Sequence, residues 1–293
     1  MAKGMIVKAL AGFYYVQDGD EVVQCRARGV FRKRKITPLV GDHVTYEAEN
    51  STDGYIMELE ERKNQLVRPP VANVDQAILV FSAREPLFSG LLLDRFLVHI
   101  EANEIEPLII ISKTDLLTST EREALKLEAE TYEKIGYQVL YTSTEQMDDP
   151  LALLPNLKNK VSVVAGQSGV GKSSLLNAIA PSLTIETNEI SNSLGRGKHT
   201  TRHVELLQIH NGLIADTPGF SSLEFMDMEA IELRDCFPEF LSRVNECKFR
   251  GCLHVVEPGC AVIEALDAGE IAEGRYQHYK QFLSEIQSQK RRY

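Results

Sequence analysis

Gly166-Gln167-Ser168-Gly169-Val170-Gly171-Lys172-Ser173 is the stretch on which the fold turns. It fits the spacing G-x-x-x-x-G-K-[ST], and its flanks agree: Val161–Val164 reads as a strand before it, and Ser174–Ile179 opens a helix after it. Glycines let backbone N–H groups turn inward around phosphate oxygens, and the helix N-terminus adds partial positive charge. In such a loop the Lys172 ammonium reaches the β- and γ-phosphates and the Ser173 hydroxyl ligates Mg²⁺. Gly166, Gln167, Ser168, Gly169, Val170, Gly171, Lys172, Ser173 and Ser174 are therefore the expected phosphate cradle. A chance glycine-rich turn is the alternative, and the strand and helix on either side argue against it.

Working outward, strands alternate with helices from Asn73 on. Ala77–Phe81, Pro107–Ile111 and Gln138–Tyr141 are compact strand candidates, while Leu91–Glu101 and Thr120–Lys134 have helical spacing. The alternation predicts an α/β domain with a mostly parallel, buried sheet. Downstream, the strand Gly212–Ala215 runs into Asp216-Thr217-Pro218-Gly219. A D-x-x-G of this kind puts the Asp216 carboxylate near the metal, generally through water, and lets the Gly219 N–H approach the γ-phosphate. The motif is short and common; its weight comes from lying 50 residues after Gly166 at the end of an apolar strand. Between them, Asn192–His203 is rich in glycine and phosphate-binding side chains. Thr201, with Thr200 as runner-up, is the expected second magnesium ligand, made only while the γ-phosphate is present. A plain basic surface loop is the other reading.

Base selection is expected upstream. Ile109–Ile111 leads into Ser112-Lys113-Thr114-Asp115, which resembles an N-K-x-D segment. The Asp115 carboxylate can accept from guanine N1–H and N2–H₂, a donor pair adenine lacks, and an unpaired buried carboxylate is costly. The Lys113 stem can lie over the base. Ser112, in place of Asn, is expected to make fewer hydrogen bonds to the phosphate loop. Thr142-Ser143-Thr144 is a weaker match to a segment whose backbone meets the guanine oxygen. This guanine-reading segment precedes the phosphate loop, reversing the commoner order; the site depends on where strand ends sit, so a permuted sheet can build it. Phe220 stands where many GTPases place a water-orienting Gln, which predicts slow intrinsic turnover and leaves His199 and His203 as candidate catalytic groups.

The two ends of the chain carry different signals. Residues 1–68 hold five short strand candidates between Gly, Asp and Asn turns, suiting a small barrel such as an OB fold, with a sandwich as the alternative. Arg26–Lys35 contains six cations and no acid, with Phe31 among them, which suits RNA phosphates with the ring free to stack. Lys248, Arg250, Arg275 and Lys290–Arg292 are expected to extend that surface. Near the other end, Cys247, Cys252, His254 and Cys260 offer three thiolates and an imidazole within 14 residues, matching a closed structural Zn²⁺ site. Cys25 and Cys236 read as ordinary buried residues. Boundaries are expected at 1–68, 69–224 and 225–293.

Composition sets outer limits. The formal net charge of −10 argues against uniform coating of nucleic acid, although a local basic patch acts within roughly a Debye length, about 8 Å. No apolar run is long enough to span a membrane and the N-terminus does not resemble a secretion signal, so a cytoplasmic protein with no membrane partner is expected. Nothing demands more than a monomer.

The rotated motif order, the basic N-terminal β-unit and the Cys-Cys-His-Cys cluster together resemble the bacterial RsgA (YjeQ/YloQ) family of small ribosomal subunit biogenesis GTPases, over essentially the whole chain. The resemblance implies an N-terminal OB-type β-barrel, a circularly permuted P-loop GTPase domain and a C-terminal helical zinc-binding domain. It implies GTP and GDP as ligands, binding to the 30S subunit and its 16S rRNA late in maturation, and hydrolysis stimulated by the subunit. The family's proposed catalytic histidine, just before the Thr pair, falls on His199, and Ser112 departs from the family's more usual Asn. A nucleotide-gated RNA-binding scaffold, with incidental hydrolysis, is the alternative.

Overall fold

The computed structural model describes residues 1–143, 150–181, 204–216, 223–225 and 228–290. In its first part, β1 (Ala2–Leu10), β2 (Phe13–Asp18) and β3 (Glu21–Ala27) are followed by a short helix, α1 (Gly29–Lys33), and by β4 (His43–Ala48) and β5 (Gly54–Leu59). Strand β1 is long enough to pair with β2 along one half and with β4 along the other, while β3 runs parallel to β5 and β5 antiparallel to β4. The ladder therefore closes on itself: a five-stranded barrel of OB type. Its interior is filled by alternate residues such as Ile6, Val16, Cys25, Val44 and Ile56. Gly54 is required there, because a Cβ would sit 2.5 Å from the Cys25 sulfur.

Two expectations fail in physical detail. Phe31 is not free to stack; it is 7% exposed, turned inward by α1 to plug the barrel core while its cationic neighbours stay in water. An aromatic ring between charges in sequence points away from them once the segment becomes a helical turn. Arg275 likewise adds nothing to a basic surface. It is buried, donating to Asp94 and to both Glu239 carboxylate oxygens.

After two short strands, β6 (Gln65–Leu66) and β7 (Val71–Ala72), comes the α/β part: β8 (Gln76–Ser82), α2 (Gly90–Glu101), β9 (Glu106–Ser112), α3 (Ser119–Ile135), β10 (Gln138–Tyr141), α4 (Leu154–Leu157), β11 (Val161–Ala165), α5 (Lys172–Ile179), β12 (Glu205–Ile209) and β13 (Gly212–Asp216). The sheet order is β10-β9-β8-β11-β13-β12, with only β12 antiparallel to its neighbour. Both faces are covered, so the central strands read as continuous apolar runs. Ala77, Leu79 and Phe81 enter one core with Ile109 and Ile111, while Ile78 and Val80 enter another with Leu108, Ile110 and α5. Helix α3 starts on a capping box between Thr118 and Glu121 and stops at Gly136, whose φ is 112°. The barrel and this sheet join edge to edge through Lys8 and Glu205, which pair in register and also form a 2.7 Å ion pair.

The last part is helical: α6 (Ala230–Asp235), α7 (Pro238–Leu241), α8 (Ala261–Asp267) and α9 (Glu273–Lys290) surround a core of Phe237, Phe240, Tyr279 and Phe282. Cys25 and Cys236 are buried, as expected from the sequence. No helix among the described residues is long and apolar enough to cross a membrane.

Candidate functional site

In a parallel sheet the C-terminal ends of all strands lie on one edge, and here that edge collects the predicted motifs. Strand β9 delivers Ser112, β11 delivers Gly166 and β13 delivers Asp216 to it. One strand, β8, separates the guanine-reading and phosphate-reading strands, which sets them about 10 Å apart at roughly 4.8 Å per strand. That is the scale of one nucleotide.

The phosphate loop has the backbone its glycines predict. Gly166, Gly169 and Gly171 lie at φ of 141°, 80° and 95°. Gly166 also passes so close to β8 that a Cβ would stand 2.1 Å from the Val80 carbonyl oxygen. Gly171 is the N-cap of α5, and Val170 is fully buried beneath the loop. Lys172 folds back over the loop, its Nζ donating to the carbonyls of Gly166 at 2.8 Å and Gln167 at 2.5 Å. Burial lowers its pKa from the ordinary lysine value. A phosphate in the loop would offer that ammonium a charged acceptor. Ser173, 9% exposed, follows at the first turn of α5, with Ser174 beside it.

The two segments touch. The Ser112 hydroxyl donates to the Val170 carbonyl at 2.5 Å, with the Phe81 carbonyl at 3.2 Å. Ser112 is 8% exposed, so the bond is shielded from water. A residue expected to make fewer bonds to the loop than Asn does make one, from a buried position. Lys113 adopts a left-handed φ of 57° and its ammonium donates to the Glu85 carbonyl. The turn this makes carries Thr114, whose hydroxyl lies 3.5 Å from the Thr142 carbonyl and whose own carbonyl accepts from Arg122. Asp115 accepts from the Ser143 hydroxyl at 2.5 Å. The sequence reading gave the Thr142–Thr144 segment only backbone contacts; a hydroxyl-bearing residue just past the end of β10 is the signal that points to this side-chain support.

Other candidates are placed in part or not at all. Asp216 is fixed by its backbone at the end of β13, opposite Glu205. Thr144, His199, Thr200, Thr201, His203, Gly219 and Phe220 lie outside the described residues.

The cysteine cluster is assembled as the spacing suggests. One ligand atom from each of Cys247, Cys252, His254 and Cys260 lies within 4.8 Å of the others. Cys247 and Cys260 sulfurs are 4.0 Å apart, and His254 Nδ1 lies 3.2 Å from Cys260 Sγ and 3.7 Å from Cys247 Sγ. Tetrahedral coordination at a metal–sulfur distance of about 2.3 Å puts sulfurs about 3.8 Å apart, so the donor set fits an ion of that kind. Burial raises the Cys252 thiol to about 12 and lowers His254 to about 4; a cation is what would make thiolates stable there while leaving the imidazole neutral. The loop is braced for it. Tyr276 and Tyr279 hydroxyls donate to the His254 and Leu253 carbonyls at 2.8 and 2.7 Å. The Glu257 carboxylate accepts from the N–H groups of Leu253, Val255 and Val256.

Comparison with known proteins agrees with this geometry. The RsgA GTPase family model matches residues 59–226 and the RsgA N-terminal domain model residues 3–56. A 50S ribosome-binding GTPase model matches residues 161–292. A protein of Shouchella clausii (strain KSM-K16) named small ribosomal subunit biogenesis GTPase RsgA is 70% identical over 293 residues, all of both chains. One of the same name from Bacillus subtilis (strain 168) is 57% identical over 298 residues, again covering both chains in full. Among solved structures, YloQ, described as a circularly permuted GTPase, aligns with a TM-score of 0.86 at 52% identity, covering 99% of this chain and 96% of that one. YjeQ from Thermotoga maritima aligns with a TM-score of 0.86 at 38% identity, covering 97% and 98%.

Proposed function

The chain belongs to the RsgA GTPase family, and from that premise we propose that it is a cytoplasmic, monomeric GTP hydrolase that binds the 30S subunit late in its maturation and leaves it after hydrolysis. The observation that carries the reading is the hydrogen bond from Ser112 to Val170, which ties the base-reading segment to the phosphate loop across one strand. Asp115 reads guanine, Lys113 covers it, and Thr114 holds the turn between them. The cradle from Gly166 to Ser174 holds the phosphates, with Lys172 moving from its own loop carbonyls onto the β- and γ-oxygens.

In the reaction a water oxygen bonds to the γ-phosphorus. The bond from that phosphorus to the β–γ bridging oxygen breaks and its electron pair stays on GDP; one water hydrogen remains on the new phosphate oxygen and the other proton passes to a product phosphate oxygen or to solvent. Ser173 and Thr201 would hold Mg²⁺, with the Asp216 carboxylate near it, and the ion would neutralise charge on the phosphate oxygens. Gly219 supplies an N–H to the γ-phosphate, and His199 orients the attacking water in place of the absent Gln. Zn²⁺ at Cys247, Cys252, His254 and Cys260 serves structure. The three units are residues 1–68, 69–224 and 225–293.

The six cations between Arg26 and Lys35 are all exposed, which supports contact with the phosphates of 16S rRNA. In place of Phe31, that surface offers Tyr55, 52% exposed and directly opposite Arg26 in the β3–β5 register, and Phe13, whose ring lies 4.8 Å beneath the Arg26 guanidinium. GTP turnover with and without purified 30S subunits tests the reading. Stimulation by the subunit is expected; equal rates would overturn the ribosomal role.

A further inference from the structure

Seven residues after Asp216, the chain reaches Leu223–Phe225, and there it is gripped by one side chain. The Arg95 guanidinium, on α2, lies between two rings, 4.8 Å from the centroid of Phe225 and 4.7 Å from that of Phe282 on α9. Its Nη1 donates to the Leu223 carbonyl at 3.3 Å and to Glu285 Oε2 at 2.8 Å, and its Nη2 donates to Glu285 Oε1 at 2.6 Å. One turn further along α2, His99 stacks on Phe225, with ring centroids 5.3 Å apart. Phe225 is 1% exposed and belongs to the core of the C-terminal helices, not to that of the sheet.

We propose that Arg95 is a positioning residue for GTP hydrolysis: it fixes the far end of the segment that carries Asp216 and Gly219, and it joins that segment to α9. The inference rests on the GTPase reading above. A planar, always charged fork is suited to the task, since it can stack on two rings and still hold a carboxylate bidentately and a carbonyl at its edge. Nucleotide affinity depends on Asp115 and the phosphate loop, which Arg95 does not touch. The expected signature is therefore a change in kcat with little change in binding.

The test uses the full-length protein with its metal, comparing wild type with Arg95→Ala, Arg95→Met and Arg95→Lys by GTP turnover and fluorescent GDP titration. Met keeps the apolar stem against the two rings and guards against a variant that fails to fold. A misplaced catalytic segment should lower kcat roughly tenfold in Arg95→Ala and Arg95→Met, with KM and GDP affinity within about twofold of wild type. Lys, which keeps charge without the fork, should recover only part of the loss. Adding Glu285→Ala to Arg95→Ala should slow turnover no further, because one contact has already been removed. Unchanged kcat in the Met variant, or KM rising and GDP affinity falling in step with the loss of kcat, would overturn the proposal. A wild-type protein without GTP turnover would instead sink the GTPase reading itself.

Discussion

Replacing Ser112 by Ala removes the side-chain bond that joins the two halves of the proposed nucleotide site. The hydroxyl sits 2.5 Å from the Val170 carbonyl, and both residues are buried, Ser112 at 8% and Val170 at 0% exposure. A buried carbonyl stripped of its donor costs about 1–3 kcal/mol. The phosphate loop can relax toward α5, so the lower half of that range is expected to reach the bound state. At about 1.4 kcal/mol per tenfold, GDP affinity should fall roughly five- to thirty-fold. Base choice should not change, because Asp115 is held separately by the Ser143 hydroxyl at 2.5 Å. The assay is a fluorescent GDP titration with ADP as competitor, run on wild type, Ser112→Ala and Ser112→Asn. Asn, with two N–H donors, should recover the affinity. GDP affinity within twofold of wild type in the Ala variant, or discrimination against ADP falling in proportion, would refute the reasoning.

Asp115→Asn should cost more than a hundredfold in GDP affinity, since an amide offers a donor where guanine also presents one; equilibrium titration reads it. If the proposed site takes one zinc per chain, Cys252→Ser should lower that content and loosen the C-terminal helices, measured by metal analysis together with far-UV circular dichroism. Arg275→Met leaves the Asp94 and Glu239 carboxylates buried without their cation, so unfolding by urea should show a loss of about 3–5 kcal/mol, with GDP affinity retained if the folded protein is intact.

The sheet was legible because parallel strands buried on both faces are unbroken apolar runs: β8, β9 and β11 end within two residues of where the sequence places them. The phosphate loop was legible for a related reason, as only glycine reaches the φ values found there. Strand β12 was missed because Glu205–Ile209 is short, half polar and follows a glycine-rich stretch. Phe31 and Arg275 misled for opposite reasons. A ring among cations reads as exposed until a helical turn points it inward, and a lone arginine reads as surface until Asp94, 181 positions away, meets it. Arg95 was silent in the sequence, since its partners Leu223, Phe225, Phe282 and Glu285 come from distant segments. Contacts between elements far apart in the chain leave no periodicity to read.

A crystal structure of the protein with GDP and magnesium tests the central claim most directly. One nucleotide should bridge the sheet edge, its guanine N1 and N2 within about 3 Å of the Asp115 carboxylate and Lys172 Nζ transferred from the Gly166 and Gln167 carbonyls to the β-phosphate. A nucleotide bound with its base away from Asp115, or its phosphates outside the loop, would contradict the account.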